Sequence, residues 1–254
     1  MIVSETMNRI KQNWVLAIII LVSMATIGWL IFYNPNKIYL YAWERPEDFS
    51  FLNERSDTTV VFYAGDVVIK DKKVFTTIRR NRLTIPDGIR HFPLVRIDSF
   101  ESPNILMSNI ETISDFIVKI CVGFKECQID FEARTSEYEF YKALLNGIKD
   151  ALPDRNISIT ALASWCSGDM LDDLSIKTAV PMLYRLGRDN KNIKNGSVGK
   201  WFLSNSKCSD SIALSVDELD FDPRRYMRGK SVYLFNPEPW TEDLYKNTLS
   251  HLGL

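Results

Sequence analysis

The chain has 254 residues, of which 46% are hydrophobic and 25% charged, with a formal net charge of −1. This length and balance are those of a globular domain large enough for one core, and the near-neutral charge without Lys/Arg clusters argues against nucleic acid as a partner. Only two histidines occur, His91 and His251, which disfavours both a histidine-based zinc site and a Ser-His-Asp triad.

Residues 14–33 form an uncharged run, WVLAIIILVSMATIGWLIFY, whose length suits a helix that crosses a bilayer. Aromatic residues stand near both ends, as they do at membrane interfaces, and Arg9 and Lys11 precede the run. We therefore predict a cytoplasmic tail over 1–13, a transmembrane anchor over 14–33 and a single-pass membrane protein whose C-terminal part is periplasmic or extracellular. A signal peptide cleaved after Ala25 is the alternative.

From residue 36 to 254 the chain reads as one domain, because no low-complexity tract interrupts it. Short β-branched or apolar runs predict eight strands, with helices or crossover loops between most of them. These strands cover 38–43, 58–63, 92–97, 127–132, 157–162, 179–184, 212–216 and 231–235, and a hairpin is predicted over 67–75. Eight strands are the count of an α/β (β/α)8 TIM-type barrel, with a doubly wound open sheet as the alternative.

Three helices are predicted with defined ends. The first runs over 109–124 behind a capping box formed by Ser108 and Glu111, and the second over 136–152 behind one formed by Ser136 and Glu139. A last helix ends at about residue 252. No glycine-rich phosphate loop follows any strand, so we predict no nucleotide cofactor.

Four cysteines are compatible with an oxidising compartment. Cys121 and Cys127 flank one turn and could meet across it, which leaves Cys166 and Cys208 as the other pair. Four cysteines allow three pairings, and four reduced, buried thiols are an equally good interpretation.

The fourth predicted strand ends in two carboxylates, Asp130 and Glu132. Alternation along a strand places them on one face, with Ile129 and Phe131 on the other. Two acids at the end of a buried strand are costly without a partner or a role. The structural interpretation is an ion pair with Arg96, Arg134 or Arg185, and the functional one is a catalytic pair.

Acids and aromatic residues gather at the predicted C-terminal strand ends, where barrel active sites lie. Aromatic rings suit the C–H faces of sugars, and carboxylates bind hydroxyls and act on glycosidic bonds. We therefore predict carbohydrate as the ligand, although each side chain has a local structural explanation as well, such as a plug of the barrel mouth or a surface ion pair. The predicted substrate-binding residues are Trp43, Glu44, Trp165, Arg185, Asp217 and Trp240.

Several segments resemble a bacterial family of uncharacterised glycoside-hydrolase-like barrel proteins. In chain order they are QIDFEARTS (128–136), LP (152–153), SITALASW (158–165), VPMLYR (180–185), SVDE (215–218) and YLFNPEPW (233–240). The family often carries Asp where this chain has Glu132. The resemblance implies a TIM-type barrel more strongly than it implies an activity.

A more distant likeness is to family-18-type chitinases. Their fourth strand ends in Asp-x-Glu and their sixth carries Met-x-Tyr, which match Asp130-Phe-Glu132 and Met182-Leu-Tyr184 here. The longer acidic run upstream is replaced by Glu126, Cys127 and Gln128. The likeness implies that Glu132 is the acid, that Asp130 assists the substrate and that Tyr184 hydrogen-bonds the reacting group.

The leading hypothesis is a membrane-anchored, outward-facing, glycoside hydrolase-like protein that acts on an envelope or exported glycan, with Glu132, Asp130 and Tyr184 as catalytic residues. Burial beside Asp130 would favour the protonated form of Glu132. A non-catalytic barrel that binds a glycan or a partner protein is the alternative. A hydrolase using Asp98, Asp130 and Glu132 as metal ligands is a third hypothesis, while the leading one needs neither metal nor cofactor.

Overall fold

Eight parallel strands form the frame of the structure, a computed structural model that describes residues 36–53, 57–186 and 204–254. The strands are rich in β-branched and aromatic residues, which favour extended backbone. Their bounds are β1 (Ile38–Ala42), β2 (Thr58–Lys70), β3 (Arg90–Ser99), β4 (Glu126–Asp130), β5 (Asn156–Leu162), β6 (Thr178–Met182), β7 (Ser211–Ser215) and β8 (Ser231–Phe235).

The eight strands close into a barrel. Each pairs in parallel with the next along the chain, and β8 pairs back with β1, with Tyr39 beside Tyr233. The predicted barrel is therefore confirmed, and the open doubly wound sheet is excluded. Closure also places the C-terminal ends of all eight strands around one rim.

Aromatic side chains fill the barrel interior. Tyr39 stacks on Tyr233 with ring centroids 4.2 Å apart, and Tyr41 lies 5.8 Å from Tyr233. Leu40, between the two tyrosines, faces the opposite way, as the twofold alternation of a strand requires. It packs in the hydrophobic layer outside the ring of strands, here called the outer core. The Tyr41 hydroxyl donates to Gln128 Oε1 at 2.9 Å, so the buried amide of Gln128 has a partner inside the barrel.

Within the described ranges, α-helices follow some of the barrel strands and not others. Their bounds are α1 (Pro103–Ser108), α2 (Ile110–Cys121), α3 (Tyr138–Ala151), α4 (Arg224–Met227) and α5 (Glu242–Leu252). In the described ranges, α1 and α2 follow β3, α3 follows β4, α4 follows β7 and α5 follows β8. The barrel thus departs from a regular alternation of one helix per strand.

The predicted helices exist, but their predicted capping boxes do not form. Ser108 ends α1 and its hydroxyl donates to Ile105 O, so it does not cap α2. A 3-10 turn over Thr135–Glu137 precedes α3, and the Glu137 carboxylate accepts from the Arg134 backbone N–H at 2.7 Å. The capping carboxylate is thus Glu137 rather than Glu139. The expected apolar face of α3 is confirmed, with Phe140, Leu144, Leu145 and Ile148 fully buried.

Strands β2 and β3 continue past their neighbours at the rim. A hairpin strand, Lys73–Ile78, returns antiparallel along β2, so that the three strands form a small sheet beyond the barrel. The register between β2 and β3 shifts between Tyr63 and Gly65, which marks a β-bulge. A Cβ on Gly65 would lie 2.4 Å from Thr77 O, so the close approach of the hairpin strand requires glycine there.

Two disulfides join the four cysteines in the pairing considered from the sequence. Cys121–Cys127 links the end of α2 to β4, with Cα atoms 5.7 Å apart, and Cys166–Cys208 links the exit of β5 to the segment before β7, with Cα atoms 5.9 Å apart. The first bond therefore fastens the connection after α2 to β4, and the second joins the turn after β5 to the turn before β7.

The predicted tail 1–13 and anchor 14–33 lie outside the described residues. Within the described ranges no helix is long and apolar enough to cross a membrane. The described residues belong to one compact unit, Asn36–Leu254.

The two disulfides should contribute unequally to stability, because their cysteines lie 42 and 6 positions apart along the chain. Constraint of the unfolded chain predicts a loss of about 4 kcal/mol for Cys166→Ser with Cys208→Ser, and about 2 kcal/mol for the shorter loop. Denaturant unfolding of the two double variants measures both values. An equal loss in the two variants would contradict the loop-length explanation.

Candidate active site

The rim formed by the C-terminal strand ends surrounds an open cavity of about 670 Å³. Its walls come from strand ends and the residues directly after them, so side chains far apart in sequence meet there. The walls include Tyr41, Trp43, Arg96, Asp98, Phe100, Asp130, Glu132, Thr160, Tyr184, Arg185 and Phe235.

Asp130 stands at the base of this cavity as the last residue of β4. Its side chain is half-buried, and the Thr160 hydroxyl on neighbouring β5 donates to Asp130 Oδ1 at 2.5 Å. Burial raises the pKa of Asp130 from its ordinary value of 3.8 to about 6, and the negative charges of Glu132 and Asp98 add to this. The Thr160 hydrogen bond and the positive charge of Arg96 act in the opposite direction.

Glu132 also lines the cavity but is exposed. Between the two acids Phe131 turns outward and packs edge-on against Phe140 and Tyr141 of α3, at 6.0 and 5.2 Å. The predicted division of faces is thus confirmed. The burial expected for Glu132 belongs instead to Asp130, because β4 ends at Asp130 and Glu132 lies past the strand, toward solvent.

The three arginines considered as partners for these acids are paired with other carboxylates. Arg96 Nη2 lies 2.6 Å from Asp98 Oδ2 and 3.9 Å from Asp66 Oδ2. Arg134 Nη2 lies 2.6 Å from Glu137 Oε1. A local ion pair with these arginines therefore does not explain Asp130 and Glu132.

Arg185 is the third of these arginines, and its backbone N–H donates to Glu218 Oε2 at 2.9 Å. Its φ of 51° lies in the left-handed region, which is unfavourable for a side chain larger than glycine. The Arg185 guanidinium lies over the Phe235 ring, 5.6 Å from its centroid. Glu218 therefore stabilises the left-handed backbone conformation of Arg185, whose guanidinium lies along the cavity wall.

Aromatic rings form one side of the cavity. Trp43 contacts Phe235 edge-on at 5.9 Å, and Tyr184 stacks on Phe235 at 5.8 Å with nearly parallel rings. Burial, and then the charge of Asp130, raises the pKa of Tyr184. Tyr184 therefore keeps its proton and can act as a hydrogen-bond donor near Asp130.

The remaining predicted substrate-binding residues lie away from the cavity. Trp240 is buried, with its Nε1 donating to Tyr41 O at 3.0 Å and its backbone N–H donating to Glu47 at 3.0 Å. Trp165 is buried in the outer core beside Tyr141. Both indoles thus have structural partners, and neither lines the cavity.

The last two predicted residues are acidic and exposed. Glu44 follows Trp43 at the surface, and Asp217 accepts a hydrogen bond from the Ser215 hydroxyl. Neither is among the residues that line the cavity.

Thr160, Phe235 and Phe100 are cavity residues that the sequence reasoning did not name, and Arg96 was considered only as an ion-pair partner of the two acids. Register explains two of them: Arg96 pairs with Asp130 across β3 and β4, and Thr160 follows Ile159, the partner of Ile129. Alternate side chains of β3 and β5 face the barrel interior, so the register of these strands, had it been known, would have indicated Arg96 and Thr160.

The third hypothesis, a metal site of Asp98, Asp130 and Glu132, is not assembled. Across the described ranges, no three His, Cys, Asp or Glu side chains are grouped so that they could hold a metal ion.

We expect the buried carboxyl of Asp130 to make stability depend on pH. Because its folded pKa of about 6 exceeds its ordinary 3.8, the folded state binds more protons than the unfolded state between these values. Stability should therefore fall as pH rises through this window, by about 3 kcal/mol in total. Asp130→Asn removes the titrating group, so denaturant unfolding at pH 8 should show a variant more stable than wild type, with the gain disappearing near pH 4. A gain of the same size at both pH values would contradict the assigned cause.

Comparisons with known proteins do not assign the chain to a family. No family model matches it, and no curated protein is similar to it. Among solved structures, the crystal structure of the Legionella pneumophila ChiA C-terminal domain is similar over 85% of this chain and 96% of that chain, with 10% identity and a TM-score of 0.48. A likeness at this level bears on neither function nor substrate, and the resemblances noted in the sequence remain resemblances.

Proposed function

We propose that the protein is a glycoside hydrolase-like enzyme that acts on a glycan entering the cavity at the barrel rim. The observation that supports it most is the pair of acids at the end of β4, one half-buried with a pKa raised to about 6 and the other exposed. Glycoside hydrolysis needs one carboxyl group that carries a proton and a second that is ionised, and different surroundings are what separate them.

In this proposal Asp130 is the proton donor. It protonates the glycosidic oxygen as the bond from that oxygen to the sugar carbon breaks, and water then supplies a hydroxyl to the carbon and a proton back to Asp130. The exposed carboxylate of Glu132 stabilises the positive charge that develops on the sugar. These roles are the reverse of those implied by the chitinase likeness, because burial falls on Asp130.

The aromatic wall supplies binding. Trp43, with Phe235 behind it, offers apolar ring surface to the C–H face of a sugar, while Tyr184 offers a hydroxyl close to Asp130. Arg185, fixed by Glu218, adds hydrogen-bond donors for sugar oxygens on the same side.

The location belongs to the same proposal. An anchor over 14–33 would hold the barrel at the outer face of a membrane, where glycans of the envelope are within reach. Two disulfides in the described barrel support this side of the membrane, since such bonds persist in oxidising compartments.

The roles of the two acids can be tested with the full-length protein and a panel of bacterial envelope and exported polysaccharides. Wild type should release products, detected by mass spectrometry, with a rate that falls as pH rises through about 6 because the proton on Asp130 is lost. Asp130→Asn should reduce the rate by about a hundredfold or more. Glu132→Gln should also reduce it but leave the alkaline limb of the pH profile in place.

Two outcomes would change this proposal. If the alkaline limb disappears in Glu132→Gln and remains in Asp130→Asn, Glu132 is the acid. If no polysaccharide is cleaved but one is bound by wild type and both variants, the protein is a glycan-binding barrel rather than an enzyme.

Trp43→Ala should weaken sugar binding without changing the acids. We expect KM for the cleaved glycan to rise by about tenfold with little change in kcat, as for the loss of uniform binding. Phe51→Ala is a matched control, because Phe51 is a half-buried aromatic residue that contacts Tyr245 and does not line the cavity. An equal KM change in the control would show that Trp43 acts through the fold.

A further inference from the structure

The cavity wall continues outward on the small sheet formed by β2, β3 and the hairpin strand. β2 pairs with β1 only as far as Phe62, and β4 ends opposite Arg96, yet β2 and β3 remain paired as far as Ile69 and Ser99. The paired ends of β2 and β3 therefore extend beyond the rim, beside the open cavity.

The bulge decides which side chains of this sheet face the cavity. Past the bulge, Asp66 pairs with Arg96, and Val68 pairs with Asp98. Arg96 and Asp98, which belong to β3, both line the cavity. The intervening Val67, by contrast, is part of the outer core, as is Ile69. Without the extra residue between Tyr63 and Gly65, β2 would present its core side chains to the rim.

The hairpin strand extends the same face by one strand. Phe75 pairs with Val68, while its neighbour Val74 packs against the outer core, so Phe75 lies on the cavity side. The next row holds the paired Lys73 and Lys70, with Phe100 directly after β3.

Large apolar and basic side chains are exposed on this face. Phe75 is 51% exposed and Phe100 is 69% exposed, although both stand on ordered backbone, with the Phe100 N–H donating to Ile69 O at 3.0 Å. Lys70 and Lys73 are exposed as well. Neither forms an ion pair within the described part of the chain, whereas Lys142 and Lys246 do.

The tip of the hairpin is held in one shape. Asp71 and Lys72 have φ of 52° and 61°, as in a type I′ turn, whose twist matches that of the strands. The Lys72 N–H donates to Glu101 Oε1 at 2.9 Å, which ties the tip to the residue after Phe100. The face is thus preorganised, which reduces the entropy lost when a ligand binds.

We propose that Val68, Lys70, Lys73, Phe75 and Phe100, here called the outer strip, bind the part of an acidic polysaccharide that extends out of the cavity. This rests on the proposed function, in which a sugar of the same chain occupies the cavity. The aromatic rings pack against sugar rings, and the two lysines pair with carboxylate groups of uronic acids. The strip therefore selects long, anionic glycans over short or neutral ones.

The test uses the full-length protein in detergent micelles and isothermal titration with two series of oligosaccharides, from disaccharide to octasaccharide. One series is from alginate, a polymer of uronic acids, and the other is from dextran, which is neutral. Affinity of wild type should rise with chain length for alginate only, and should fall as salt is added. Phe75→Ala should weaken octasaccharide binding by about fivefold and leave disaccharide binding unchanged.

Ile78→Ala is the matched control. Ile78 is 61% exposed on the same hairpin strand but pairs with Gly65, whose Cβ position faces α2 rather than the cavity. A loss in Ile78→Ala equal to that in Phe75→Ala would overturn the proposal. Equal binding of the dextran series, or no binding of either series, would also overturn it.

Substitution of both lysines, Lys70→Ala with Lys73→Ala, should flatten the salt dependence of alginate binding. Unchanged salt dependence would remove the lysines from the site. Cleavage by wild type separates this proposal from the proposed function: if wild type cleaves no polysaccharide, but binds alginate in a length-dependent way that is lost in Phe75→Ala, the outer strip stands and the hydrolase does not.

Discussion

The hydrogen bonds between β8 and β1 are the constraint on which the rest of the structure depends. They close the sheet, so that no strand of the barrel keeps an unpaired edge, and they bring eight strand ends separated by up to two hundred residues of sequence onto one rim. Trp240 strengthens this join from above, since it follows β8 and donates to the backbone of Tyr41 in β1. Closure brings Trp43, directly after β1, into contact with Phe235 at the end of β8.

At the rim, two carboxyl groups of the same chemical kind have different electrostatic surroundings. Asp130 is half-buried and stands among charges that are already paired, since Arg96 is shared by Asp98 and Asp66. Among the described residues, Arg96, Arg134 and Arg185 each pair with another carboxylate. Burial therefore favours the protonated form of Asp130 and raises its pKa. Glu132, one residue past the outward turn of Phe131, meets water instead.

Much of the fold could be predicted from the sequence, because β-branched and apolar runs mark all eight strands and the apolar face of α3. Helix caps could not, since the Ser108 hydroxyl is already bonded within α1, a helix that the pattern did not show. Trp165 and Trp240 were predicted at the rim from strand order alone, and only three-dimensional packing places their indoles in the core. The second strand was predicted to end at residue 63, whereas Gly65 marks a bulge within a longer strand, and this bulge sets which side chains of β2 face the cavity.

The Cys166–Cys208 disulfide gives the chain a second covalent connection between two points that lie 42 positions apart in sequence. The interval between these cysteines contains β6 and the connection that leads to β7. A single peptide bond cut between β6 and Cys208 would leave both products attached through sulfur, and β6 would keep its hydrogen-bonded neighbours on either side. A chain cut at this connection would thus retain an unbroken ring of strands.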